Sequence, residues 1–200
     1  MNFDRLQAST GSKQRDLDHR PLNRHYIVRI AEDKELPELA ALVERHLPGI
    51  VNGCETARKV HLHHSDSVLA VVRGERLVGT VACLYLNSVG LAGLRSGVFS
   101  FGAPEVGVLA LPGESPAAIY AWALCLPDGA SEAIGNVMHW FQRPLYRQAD
   151  IFARPATVRG MRFMGDTGFV VASGFHTSDL WIYRRRPRSN FEYPGKEPFQ

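Results

Sequence analysis

The 200-residue sequence is long enough for one domain with a real hydrophobic core and for tails beyond it. Its 45% hydrophobic and 22% charged fractions exclude a disordered or fibrous chain. With 23 basic against 20 acidic residues the net charge is +3, too balanced to point to nucleic acid.

Three cysteines, Cys54, Cys83 and Cys125, form no Cys-x-x-Cys pair, and their odd count and wide spacing argue for a reducing compartment rather than a disulfide framework. Residues 1–25 lack the apolar segment of a signal peptide and read as a polar, flexible arm. The longest apolar run, Ala117 to Leu126, is about half of what a bilayer needs. A cytoplasmic location is therefore expected.

Along the chain, Tyr26–Ile30 reads as a short strand. Leu36, Leu39, Ala40, Val43 and Leu47 then recur at helical spacing, with Pro37 in the first turn. A more polar helix follows over Cys54–His64. Val68–Val72 and Leu77–Leu86, joined by the turn Arg73-Gly74-Glu75-Arg76, predict a hairpin covered on both faces. Residues 87–116 are glycine-rich with short apolar pieces, and read either as a long loop or as an extra strand pair. Ala117–Leu126, closed by Pro127, reads as a buried central strand; the competing reading is a helix opened by Ser115-Pro116-Ala117.

Ser131–Arg143 is amphipathic, with Ile134, Val137, Met138 and Phe141 on one face and Pro144 as its stop. Ala149–Ala153 reads as a strand and Thr157–Thr167 as a short helix ended by Gly168. Phe169–Ala172 and Leu180–Tyr183 are the last strands. Alternation of this kind predicts an α/β domain over residues 26–183, a mixed sheet flanked by helices. The tail 184–200, basic and then aromatic, reads as solvated.

The turn after Pro127 enters a helix through small residues, so free backbone N–H groups and the helix dipole favour an anion there. Here the chain resembles the GNAT superfamily of acyl-CoA-dependent N-acyltransferases. Members place a proline after the fourth strand and, three residues on, a loop of pattern Q/R-x-x-G-x-G/A that holds the pyrophosphate of coenzyme A. That loop falls on Ala130, Ser131, Glu132, Ala133, Ile134 and Gly135. Ile134 and Gly135 match in type, whereas Ala130 replaces the cation or amide and Ala133 the first glycine. A second family segment, N-x-x-A-x-x-L/F-Y-x-K-x-G-F, maps onto Thr157–Phe169 and keeps Gly160, Phe163 and Gly168-Phe169. Thr157 replaces its asparagine and Met164 its tyrosine.

The resemblance implies a GNAT-like acyl-CoA acyltransferase fold with a splayed central sheet. It also implies transfer from acetyl- or longer acyl-CoA to an unknown amine acceptor, without a metal. The backbone of Leu124, Cys125 and Leu126 would meet the pantetheine arm, residues 130–135 the pyrophosphate, and Thr157 would stand at a cofactor position. Met164 cannot donate the proton that the family's tyrosine gives, so the proton-transfer groups must come from elsewhere. His61 and His64, on the helix that lies beside the acceptor cleft in relatives, are candidate bases; Glu105 and Glu114, before the fourth strand, are alternatives. Each of the four also reads as an ordinary polar surface residue. A metal cluster of Cys54, His61, His63 and His64 is conceivable but lacks a partner segment. Two other readings stay open: an enzyme fed by an acyl carrier protein, which the run Arg184–Arg188 would meet, and a non-catalytic GNAT-like binding module. A homodimer is compatible with any of these.

Overall fold

A computed structural model describes residues 25–50, 53–126 and 131–185. The expected N-terminal arm (but for His25), the turn Pro127–Ala130 and nearly all of the basic tail lie outside the described residues. Seven strands form one open, mixed sheet in the order β1-β2-β3-β4-β5-β7-β6. They are β1 (Tyr26–Ile30), β2 (Val68–Arg73), β3 (Arg76–Leu86), β4 (Ala118–Cys125), β5 (Asp150–Ala153), β6 (Val170–Val171) and β7 (Trp181–Tyr183). Only β4 and β5 run parallel; each other neighbouring pair is antiparallel.

Local chemistry explains these elements. Gly74, at φ 63°, closes the β2–β3 hairpin in a conformation that side chains disfavour. Alternate residues of β2 go to opposite faces, and both faces are covered. Val68, Ala70 and Val72 meet Leu36 and Leu39 of α1 (Leu36–His46), while Leu69 and Val71 join the core under α4 (Ser131–Phe141). That cover accounts for the unbroken apolar run in the sequence. From α4, Ala133, Val137, Trp140 and Phe141 pack on Val81, Cys83, Tyr85 and Ile119. The opposite face carries α1, α2 (Gly53–His63) and α3 (Ser88–Ser96) over Leu84, Leu86, Tyr120 and Trp122. Arg29 grips the Glu35 carboxylate with two hydrogen bonds of 2.7 and 2.6 Å, drawing its pKa down to about 2 and anchoring the start of α1.

Residues 87–116 resolve into neither a loop throughout nor a strand pair. They begin with α3, capped by the Asn87 side chain, which accepts from the Gly90 N–H at 2.9 Å. A short 3-10 turn, Val106–Val108, follows, and Ala110 then donates to the Tyr85 carbonyl. The other elements, including the last helix α5 (Val158–Asp166), fall within two residues of their expected bounds. No helix among the described residues is long and apolar enough to cross a membrane.

Candidate functional site: the divergence of β4 and β5

Strand β4 pairs with β3 along its whole length but with β5 only over Ala118–Ala121. The pairing stops because β5 runs into Arg154-Pro155, and proline cannot continue a ladder. Beyond Ala121, the edge of β4 facing β5 has no strand partner among the described residues. A bulge sits at the same level: Ala123 pairs Ala82 and Ala121 pairs Cys83, leaving Trp122 extra. Trp122 and Ala123 consequently both belong to the core beneath α1 and α2, and Leu124 is 37% exposed. Among the described residues the open half of β4 has backbone groups without a ladder partner on that edge, which suits an extended amide-bearing chain.

Of the residues expected to hold a cofactor, Leu124 and Cys125 lie on the open half of β4. Leu124 and Cys125 end β4, and Leu126 is half-buried against the α4-side core. Burial pushes the Cys125 thiol up to about 11, so it stays protonated at neutral pH and is no nucleophile. Ala130 lies outside the described residues, and Ser131 begins α4. Ala133 is buried beneath the helix, with Ile134 half-buried beside it, whereas Gly135 is exposed and a Cβ there would meet nothing within 4 Å. Glu132, in the first turn, holds the His25 ring Nδ1 at 2.9 Å. The Thr157 hydroxyl caps α5, accepting from the Gly160 N–H at 3.0 Å. Met164 is buried.

On the α1 side of the divergence, four residues meet that sequence reading did not assemble. Tyr120 pairs with Phe152 one step before the last shared pair. Phe101 lies 5.0 Å from the Tyr120 ring and accepts the Trp122 indole N–H at its carbonyl, 2.7 Å away. The Arg154 guanidinium covers the Phe101 ring at 4.8 Å and binds Asp179 through Nε at 2.8 Å and through Nη2. Burial raises the Tyr120 phenol well above its ordinary pKa, with Arg154 pulling it down and Asp179 raising it further. Arg154 and Asp179 come from the ends of different strands, and only the ladder Ala121–Ala153–Trp181 brings them together.

None of the four candidate bases joins this group. His61 is buried on α2 with Nε2 3.5 Å from the Asp33 carboxylate. His64 lies under the rings of Tyr85 (4.5 Å) and Tyr146 (6.3 Å), with neither nitrogen hydrogen-bonded, and burial lowers its pKa. Glu105 and Glu114 are exposed in the segment that precedes β4. Glu114 accepts from the Leu111 N–H.

No family model matches the chain, and no curated protein matches it in sequence. Solved structures do match its fold. The loading GNATL domain of CurA from Lyngbya majuscula superposes with a TM-score of 0.54 at 14% identity, covering 80% of this chain and 98% of that one. A GphF GNAT-like decarboxylase, solved in complex with isobutyryl-CoA, gives 0.53 at 16% identity, covering 80% and 100%. Ard1 from Thermoplasma volcanium gives 0.51 at 10% identity, covering 78% and 94%. The fold of this chain is the GNAT fold.

Proposed function

We propose that the chain is an acyltransferase that moves an acyl group from acyl-CoA to an amine. The observation that carries the reading is the half-open β4, with a helix starting ten residues beyond its last shared pair with β5. An extended pantetheine arm can bond the free edge of β4 while its phosphates meet the α4 N-terminus. Leu124–Leu126 would pair with the amides of the arm. The turn and first helical residues, Ala130–Gly135, would hold the pyrophosphate through backbone N–H groups.

At the tip of the divergence the acceptor nitrogen attacks the thioester carbonyl, the C–S bond breaks, and the thiolate takes up a proton. Tyr120, kept protonated by burial, is the hydrogen-bond donor we assign to the departing sulfur. Asp179 is half-exposed, and we assign it to receive the amine proton through water. The test is an acyl-transfer assay against an amine panel with the parent, Tyr120→Phe and Asp179→Asn. Turnover in the parent with loss in both variants supports the reading; an inert parent that binds acyl-CoA replaces it with a binding module.

One observation favours a carrier-protein donor as the second reading. The first turn of α4 carries Glu132, whose carboxylate opposes a pyrophosphate, and no described residue of that turn is cationic. A carrier-borne phosphopantetheine brings a single phosphate. Comparing acyl-CoA with the same acyl group on a carrier protein separates the two donors.

A further inference from the structure

We propose that a groove along α3 is a binding site for a small carboxylate with a short apolar body. The groove is open to solvent and offers about 520 Å³, lined by other residues than the opening between β4 and β5. One wall is a single stripe of α3, in which Ser88, Leu91, Ala92, Arg95 and Ser96 recur at i, i+3, i+4, i+7 and i+8. The facing wall includes Ala117 and His176. Hydroxyls thus stand at both ends, apolar groups between them, and the two residues able to carry positive charge at one end. No acidic side chain lines the groove.

The cationic end is fixed rather than casual. The His176 backbone N–H donates to the Arg95 carbonyl at 3.1 Å, tying the β6–β7 connection to the last turn of α3. Gly97, at φ 77°, allows that contact, since a Cβ there would come within 3.0 Å of the His176 Cβ. The Arg95 guanidinium lies 5.9 Å from the Phe175 ring and makes no ion pair among the described residues. An exposed arginine beside an apolar strip, with no carboxylate to neutralise it, is matched by a monoanion that its fork can bind bidentately. A dianionic phosphate would leave one charge unmatched by the single permanent cation. Ser88 and Arg95 are about 10 Å apart along the helix, which sets the length of the occupant.

The probe is hexanoate, with hexanamide as its uncharged isostere, titrated into the full chain by calorimetry or amide chemical shifts. Hexanoate should bind in the low millimolar range, at about 1 mM. Hexanamide should bind about tenfold more weakly or worse, and Arg95→Gln should erase the preference. Arg95 is exposed, so the variant's unliganded melting temperature should match the parent's. Ala92→Phe, which fills the middle of the stripe, should abolish binding of hexanoate while Arg95 remains. Equal binding of acid and amide, absence of hexanoate binding, or a preference that survives Arg95→Gln would each overturn the assignment. The groove stands apart from the acyl-transfer reading, because coenzyme A affinity should be unchanged in both variants.

Discussion

Ala121 of β4 and Ala153 of β5 are the last residues that the two parallel strands share, and the bulge at Trp122 begins at the next residue. Two independent devices therefore act at one level of the sheet. Arg154-Pro155 ends β5, and the bulge reorients β4 so that Trp122 and Ala123 both face inward. The result is a strand whose second half is paired, among the described residues, on one edge only, the feature on which the proposed donor site rests.

Gly135 offers a test that separates binding from folding. It sits within α4, exposed, with open space where a Cβ would go. Gly135→Leu should leave the fold intact and raise stability by about 0.8 kcal/mol through helix propensity. If the backbone around it receives phosphates, the same change should weaken coenzyme A binding at least tenfold. Denaturant melts and calorimetry on the one variant read both outcomes.

Chemistry should respond to the tip of the divergence and not to the candidates expected from sequence. Tyr120→Phe and Asp179→Asn should each lower the acyl-transfer rate by about 100-fold or more while donor binding persists. His61→Ala, Glu105→Gln and Glu114→Gln should leave the rate within about threefold, since none of these side chains hydrogen-bonds or ion-pairs with Tyr120, Arg154 or Asp179. A histidine or glutamate variant that abolishes turnover with donor binding intact would relocate the base.

Acid stability has a specific source in His64. Its ring is buried with both nitrogens unbonded, and Asp66, whose charge acts on it, is engaged by the Tyr146 hydroxyl at 2.7 Å and by Arg143 at 3.5 Å. Burial lowers the His64 pKa, so the unfolded chain takes up the proton first and stability falls as pH drops below about 6.5. Glu35 adds a second, lower window. Its folded pKa of about 2 gives stability above its unfolded value, which is lost as pH falls through about 4 toward 2. His64→Phe, which keeps the ring contacts and removes both nitrogens, should flatten the first window and leave the second. Melting temperature against pH for the two proteins measures it.

The elements with strong periodicity were legible before the structure: the β2–β3 hairpin, the stripes of α1 and α4, and β4 as a strand. The sequence reading of Ala117–Leu126 as a strand agrees with β4, because an apolar run covered on both faces needs no alternation. Helix α3 was hidden by Gly90 and Gly93, which lower helix propensity. Gly90 is there for packing, since a Cβ would collide with the Val108 carbonyl. The helix's punctuation was nevertheless present in Asn87 and Gly97. The bulge at Trp122 could not be read, because a wholly apolar strand shows no change of phase. Nor could Arg154 and Asp179 be paired from sequence: they are 25 residues apart and meet only through strand order. Tyr120 was visible as the one hydroxyl in β4, but its neighbours were not.

Amide chemical-shift mapping with coenzyme A tests the donor site most directly. Titration of the full chain should shift the amides of Trp122–Cys125 and of Ala133–Gly135 together, with one dissociation constant. The α3 groove around Arg95 should stay unperturbed. Shifts confined to the groove, or none at millimolar coenzyme A, would contradict a donor site at the divergence of β4 and β5.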